Sequence, residues 1–484
     1  MDEISSDSVK SILGKSRDII FMNFSLGEEN TLPLTIVYVD GLIDKSVLNS
    51  DILKPLIQDP IIRNATSEDN VISYINNGHV YCSSPQIRTK LGDCIKDIID
   101  GFAALIFDKE NIAVTFDIRE FEKRAITEPT VENVVKGSRE SFVETLRVNT
   151  SIIRRKIKTP KLVIEETVVG KQTLTEIAIV YIDGVTNMKI VEELKIRINS
   201  IEVDQVLSAG FIEEYIVNNN YSPFPQVIYT ERTDKLCSHI VSGKVGIIID
   251  GLPVTYAVPG VLNMFLHAQE DYAENFWISS IVRLLRYILM LTTLFAPAFY
   301  ISITTFHQEM LPTDLAISIN ISKAGVPFPT YVEVILMLVA FEVLIESGLR
   351  LPKSIGQAVS IVGALIVGES AVNANIISPA VVIVIAATAI SGFTMPNQDF
   401  SNALRIWRFI FVILSSIAGL FGLSMGALIL LFHLAKLETF GVSYLAPFAS
   451  QDGEGFEDSL IRSPLKYLKK RPKYLKTMNR HRQK

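Results

Sequence analysis

The sequence predicts a two-part protein: an α/β N-terminal half built from two duplicated small subdomains, and an α-helical, polytopic transmembrane C-terminal half. Three observations predict this division. Charge and hydropathy are segregated along the chain, a block of the first half recurs at a nearly constant offset, and the second half is a series of long apolar runs. The 484 residues are 48% hydrophobic and 20% charged, with a mean hydropathy of +0.32, a combination foreign to a single soluble body. Charged residues are dense to about Arg286, sparse through the apolar runs, and dense again from Arg462. The boundaries read as a first cytoplasmic α/β subdomain over 1–118, a charged helical connector over 119–160, and a second subdomain over 161–270. A transmembrane domain over 271–448 and a basic cytoplasmic tail over 449–484 follow.

IVYVDG at Ile36–Gly41 returns 143 residues later as IVYIDG at Ile179–Gly184, and Cys94–Asp108 aligns with Leu236–Asp250 at an offset of 142. Two blocks that hold nearly one spacing indicate a duplicated domain. Each copy opens with a β-branched run ending in Asp-Gly, a buried strand that leaves by a turn. In the second copy helices are expected near Asn187–Ser200 and Ser208–Val217, then a strand near Val227–Thr230 and a further helix. Strands at Val245–Asp250 and Val254–Val258 flank an Asp-Gly-Leu-Pro turn, and a mixed sheet is expected. Asp40, Asp108, Asp183 and Asp250 stand at strand ends, where turn formation is a better account than a carboxylate site.

Thr127-Glu128-Pro129 in the connector looks like a helix start, and Gly137 interrupts the pattern. Arg124, Glu128, Pro129, Glu132, Gly137 and Arg139 form either a solvated hinge or a set that pairs across a domain or subunit interface. Catalytic signals are missing. Gly14-Lys15-Ser16 lacks the early glycine of a phosphate loop, no nucleophile elbow or dinucleotide loop is present, and the six histidines are scattered. No enzyme activity, metal or cofactor is expected. Cys82, Cys94 and Cys237 do not suggest a disulfide framework, and the acidic MDEISSDSVK start is unlike a secretion signal, so the first half is placed inside the cell.

Tyr287–Phe306, Tyr331–Leu349, Ser354–Gly368, Ile376–Phe393 and Phe409–Leu434 read as five spans, with Pro297 tolerated as a kink in the first. Glu333, Glu342 and Glu346 lie within the second span, where a carboxylate must face protein, water or a cation. Glu342 and Glu346 share one helical face, either as gating acids or as partners of Arg350 and Lys353. The third span places Gly356, Ser360, Gly363 and Ala364 on overlapping faces, beside Val362 and Val367. Such a helix either packs closely on a neighbour or, gathered in a ring, lines a narrow passage with Glu369 at one mouth and Gln357 toward the other.

Arg283, Arg286, Arg350, Lys353, Arg405, Arg408 and the tail all ask for the cytoplasm. Five simple crossings leave the tail opposite the N-terminus, so one apolar segment must re-enter or divide. Leu311–Pro329 and Phe409–Phe448, the latter carrying Gly419, Gly422 and Gly426, are the candidates. From Ser459 the tail carries only basic charge, suited to an anionic lipid or protein surface or to a plain anchor.

Arg124, Glu128-Pro129, Glu132, Gly137, Arg139, Phe142, Glu144, Asn149 and Arg154-Arg155 together resemble the A subunit of GerA-type spore germination receptors. Ser222-Pro223-Phe224-Pro225-Gln226, His307–Thr313, Pro327-Phe328-Pro329, Glu342 through Pro352, and Gly356-Gln357 with Ser360–Gly363 look like further blocks of that family. The resemblance runs from about residue 25 to Arg471-Pro472. It implies an inner-membrane protein of bacterial endospores, working with a transporter-like B subunit and a lipoprotein C subunit. It also implies a nutrient response, with recognition mainly in the B subunit, and self-association into a ring around an ion-conducting pore. Ions and membrane lipids are the other expected partners, and nucleic acid is not one. The leading expectation is a ligand-gated channel subunit that triggers germination, and a scaffold without its own pore is the alternative. A secondary transporter is less favoured, because it predicts inverted repeats in the membrane half and the repeat lies in the soluble half.

Overall fold

The computed structural model describes residues 3–27, 32–63, 65, 67–82, 85–120, 132, 136–350, 368–449 and 458–483. The chain forms two compact units. The first comprises Met1–Val217, Val227–Pro259 and Leu468–Lys484; the second comprises Asn218–Gln226 and Gly260–Tyr467.

In the first unit the repeat is a repeat of topology. The first copy contains α1 (Ser6–Leu13), β1 (Ile19–Leu26), β2 (Leu32–Val39), α2 (Glu68–Asn76), β3 (Gln86–Arg88), α3 (Leu91–Asp100), β4 (Ala103–Phe107) and β5 (Ile112–Phe116). After α4 (Leu146–Lys156), the second copy contains β6 (Leu162–Val169), β7 (Thr175–Ile182), α5 (Met188–Asn199) and α6 (Ala209–Ile216). Then come β8 (Ile228–Thr230), α7 (Thr233–Val241), β9 (Val245–Ile249) and β10 (Thr255–Val258). The sheets run β1-β2-β4-β5-β3 and β6-β7-β9-β10-β8, one order drawn twice.

All neighbouring strands in both sheets are antiparallel, which corrects the expected mixed sheet. β8 runs in the same direction as β9 but stands on the far side of β10, so the parallel pair never forms. Both faces of the β2 sheet are covered, which is why β2 reads as a continuous apolar run. Leu34, Ile36 and Tyr38 pack in a cluster with Ile52, Leu56, Val71 and Ile75. Val37 and Val39 pack with Val9 and Leu13 of α1 and with Cys94 and Ile98 of α3. Burial there pushes the Cys94 thiol up to about 12, so it behaves as a small apolar group.

The Asp-Gly signals are turns. Gly41, Gly184 and Gly251 adopt φ of 84°, 75° and 78°, a region that glycine enters without strain. The carboxylates are used locally, each in its own place. Asp40 meets Lys45 at 2.7 Å and Arg147 at 3.4 Å, and Asp183 meets Lys15 at 2.5 Å, which holds its carboxyl below the usual range. Asp108 accepts the Ser6 amide at 2.6 Å, and Asp250 accepts the Leu146 amide at 2.9 Å.

The two subdomains are joined through Arg154 on α4, which is fully buried. Its Nε and Nη2 donate to Asp18 at 3.0 and 2.8 Å, Nη2 also reaches Ser16 Oγ at 3.0 Å, and Nη1 donates to the Leu162 carbonyl at 3.0 Å. Ser16 Oγ in turn accepts the Ile164 amide at 2.9 Å, and the Arg17 amide donates to the Ile164 carbonyl at 2.9 Å. One guanidinium thus ties the segment before β1 to the first residues of β6.

The basic tail is not a free extension. Residues from Leu468 fold as a hairpin in which Lys470 pairs with His481. The Met478 amide donates to the Val185 carbonyl at 3.0 Å, and Arg471 Nε donates to the Val241 carbonyl at 2.9 Å. Leu475 is buried, and Thr477 lies where a Cβ on Gly243 would come within 2.4 Å. Of the tail expected over 449–484, the stretch from Leu468 thus belongs to the first unit, with Leu475 burying apolar surface there.

The second unit contains α8 (Phe276–Ile301), which continues as a wider turn through Ser302–Phe306, then α9 (Thr313–Lys323), α10 (Thr330–Arg350) and α11 (Pro379–Phe393). The helical stretch Gln398–Lys436 comes last and breaks at Gly419, whose φ of 57° and ψ of −136° are not helical. The chain reverses there. The Trp407 and His433 rings lie 5.7 Å apart, whereas 26 residues of continuous helix would separate them by about 39 Å. We call the arms α12 (398–418) and α13 (420–436). They close on glycine: a Cβ on Gly422 would lie 2.1 Å from the Leu414 carbonyl oxygen, and one on Gly426 would lie 2.9 Å from the Phe411 ring. Of the two segments offered for dividing, the glycine-bearing one divides. Leu311–Pro329 holds the single short helix α9.

Candidate functional site

The second unit has an inverted surface. Ile281, Ile288, Ile383, Ile390, Ile417, Phe421 and Phe432 are all more than half exposed, while Arg283, Glu333, Thr388, Arg408 and Ser415 are buried. Among the described residues two helical stretches are, by length and composition, long and apolar enough to cross a membrane, Phe276–Phe306 and Gln398–Lys436. Because the second folds back at Gly419, its two arms measure roughly 31 and 25 Å.

Buried and half-buried charges sit in this unit, and two of the groups are built on arginine. In the first, Glu342 of α10 receives Arg405 at 2.8 Å and Arg408 at 2.7 Å, both from α12. In the second, Asp271 holds Arg283 and Arg286 of α8 at 3.3 and 2.8 Å, and Asp458 holds Arg283 at 2.8 Å. The Tyr272 hydroxyl donates to Asp458 at 2.5 Å, and the Arg283 and Arg462 guanidiniums lie 5.8 and 5.7 Å from the Tyr272 ring centre. Beside them, His267 Nε2 lies 3.0 Å from the Ser459 carbonyl, and burial pushes the imidazole down to about 4. It therefore donates as the neutral ring.

These pairings change the meaning of four arginines. Arg283, Arg286, Arg405 and Arg408, read from sequence as marking the cytoplasmic side, are each held by a carboxylate. The partners are distant along the chain, except Asp271, which precedes Arg283 and Arg286 by 12 and 15 residues. That single carboxylate ahead of an i, i+3 arginine pair is the sequence signal for the Asp271 network.

The three acids of the second span have separate fates. Glu333 is fully buried; it accepts the Ser378 amide ahead of α11 at 2.7 Å and lies 3.7 Å from Lys323 Nζ. Its charge thus faces a helix N-terminus, a favourable place for a carboxylate. Glu342 has the two arginines, and Glu346 is exposed. We expect Glu342→Ala to leave the Arg408 guanidinium buried without a counter-charge and to destabilise the helical unit by about 2 kcal/mol. Glu342→Gln, which still accepts hydrogen bonds, should lose less. Thermal unfolding in detergent measures both, and equal melting of all three proteins would exclude a role for the pair.

Of the small-residue span, Gly356, Gln357, Ser360, Val362, Gly363, Ala364 and Val367 lie outside the described residues, as do Arg124, Glu128 and Pro129 of the connector. Glu369 is exposed on the helical turn over 368–373, and a Cβ on the neighbouring Gly368 would lie 3.5 Å from Val382 of α11. Glu132 docks within the first unit, accepting the Glu231 amide at 3.2 Å and Lys235 Nζ at 2.5 Å. Gly137 has a φ of 139°, and Arg139 is exposed.

A second contact escaped the sequence reading. Segment Asn218–Gln226, between α6 and β8, belongs to the second unit. There Phe224 lies 6.0 Å from Phe400, 6.4 Å from Trp407, 6.1 Å from His433 and 6.2 Å from Tyr444, and Ser222 Oγ lies 2.8 Å from His433 Nε2.

A duplicated antiparallel α/β unit joined to a helical body with apolar surface and interior charge defines a two-part protein whose second part suits an apolar surround. Residues 7–474 match the family described as Bacillus/Clostridium GerA spore germination protein, and the chain belongs to that family. It is 36% identical to spore germination protein KA of Bacillus subtilis (strain 168) over 98% of this chain and 86% of that one. It is 34% identical to spore germination protein B1 of the same organism, over 96% and 95%. Spore germination protein GerLA of Bacillus cereus is 34% identical, over 97% and 94%. A crystal structure of the N-terminal domain of the A subunit of the Bacillus megaterium spore germinant receptor GerK3 matches 53% of this chain and 93% of its own, at 27% identity and a TM-score of 0.42.

Proposed function

We propose that this chain is the A subunit of a nutrient germinant receptor in the spore membrane, and that copies of it assemble into a ligand-gated ion channel that triggers germination. The role is not enzymatic. Near full-length kinship with spore germination proteins is the observation that carries the reading. A transporter-like B subunit and a lipoprotein C subunit complete the receptor, with the nutrient recognised chiefly on B.

The apolar outer face of the helical unit supports a bilayer around it. The break at Gly419 supports reading the last apolar stretch as two crossings. With the third span expected from sequence, Ser354–Gly368, counted as one pass, α8, α10, α11, α12 and α13 bring the reading to six, with both ends of the chain on the cytoplasmic side. The acid–arginine pairs hold α10 to α12 and α8 to the segments around Asp271 and Asp458, which keeps each subunit rigid while a neighbouring helix moves. Ions would pass along the third span expected from sequence, past Gly356, Ser360 and Gly363, with Glu369 at one mouth.

The test is current across a planar bilayer containing the purified chain with its partner subunits. Ser360→Phe or Gly363→Val is expected to alter ion flux at least tenfold without nutrient, whereas Ile383→Phe on the outward face of α11 should leave it unchanged. Equal effects at both helices would refute the pore assignment, and no current from any assembly would favour a scaffold.

A further inference from the structure

The C-terminal hairpin carries a charge arrangement that its own fold does not use. The Arg471 amide donates to the Arg480 carbonyl and the Arg482 amide donates to the Lys469 carbonyl, so Lys469 stands directly across from Arg482. Like charges in that position repel. Lys469, Lys470, Lys476 and Arg482 are all exposed. Among the described residues none of the four has a carboxylate within ion-pair distance, and the sequence contains no Asp or Glu after Asp458. Met478, two-thirds exposed, sits among them. The hairpin is nevertheless ordered, pinned to the second subdomain through Val185, Val241 and Gly243. The fold thus holds four uncompensated cations and an apolar side chain on a rigid support.

We propose that this hairpin is a docking surface for anionic phosphodiester headgroups, which holds the second α/β subdomain against the bilayer. The cations are spread over two strands, so they suit a fluid array of headgroups better than one discrete anion. The exposed Met478 suits the boundary between headgroups and acyl chains, where an acidic protein surface offers nothing apolar to receive it. The inference rests on the bilayer placement of the helices and is independent of conduction.

The full chain is placed in nanodiscs of phosphatidylcholine, with or without phosphatidylglycerol, and amide hydrogen exchange is followed over 468–483. Protection is expected to rise at least tenfold in the anionic discs at low salt and to fall back at high salt. It should be lost when Lys469, Lys470, Lys476 and Arg482 are all changed to Gln, and kept when the three lysines are changed to Arg, a control against simple unfolding. Exchange across β9 should match in every case. Equal protection in both discs overturns the proposal, as does protection by inorganic phosphate in neutral discs, which would mean a discrete phosphate site. Protection that needs an added acidic protein also overturns it. A chain that fails to enter neutral discs would instead refute the bilayer placement itself.

Discussion

Replacing Gly419 with valine will destroy the reversal between α12 and α13. A φ of 57° with ψ of −136° is open to glycine and strained for any branched residue. The new Cβ would also lie 2.8 Å from Phe306 Cβ, closer than real Cβ atoms come. Strain and overlap together should cost about 3–5 kcal/mol. The stretch can escape only by straightening, which removes His433 from Trp407 and Phe224. Spin labels at Ile406 and Leu431, both more than half exposed, report the outcome. In the native chain the label-bearing backbones should lie about 10 Å apart, and in a straightened helix of 25 intervening steps about 38 Å. An unchanged short distance in Gly419→Val would refute the claim that glycine sets the turn. Gly422→Ala should behave similarly, because its Cβ would strike the Leu414 carbonyl.

Arg154→Ala has the second large effect. It strands Asp18, a carboxylate 1% exposed, with no counter-charge, and leaves Ser16 and the Leu162 carbonyl each short of a donor. Breaking a buried pair from one side costs about 3–5 kcal/mol. Because the same guanidinium ties the start of β1 to the start of β6, the loss should fall on the junction first. Hydrogen exchange over residues 16–19 and 162–164 should accelerate by two orders of magnitude or more, while β4 and β9 slow-exchange cores persist at low denaturant. The double change Arg154→Met with Asp18→Leu should recover much of the stability, since neither charge is then left alone. If the single variant exchanges like the native chain at the junction, the pair does not hold the subdomains together.

What could be read from the sequence is local. IVYVDG and IVYIDG announce the duplicated strand-and-turn because the apolar run and the Asp-Gly exit are contiguous, and the second-copy helices and strands fall within a residue or two of the expected bounds. The order of strands is not local: whether β8 adjoins β9 depends on where β10 settles. Arg283, Arg286, Arg405 and Arg408 could be read from sequence only as markers of orientation, because Glu342 lies 63 and 66 residues from Arg405 and Arg408 and Asp458 lies 175 from Arg283. The tail looked free for the same reason, as Met478 meets Val185 across nearly three hundred positions. Of the candidate site, Glu333 and Glu342 were visible as acids in an apolar helix, but not their partners. Ser360 and Gly363 lie outside the described residues.

The two units exchange pieces of chain, and this fixes an order of manufacture. Phe224 in Asn218–Gln226 is made early but finds Phe400, Trp407 and Tyr444 only 176, 183 and 220 residues later in translation. The first unit is completed only by Leu468–Lys484, which follows the whole helical unit along the chain. Its second subdomain therefore stays unsealed around Val185 and Gly243 until Thr477 and Met478 have been made, so a ribosome stalled within the helical half leaves both units unfinished.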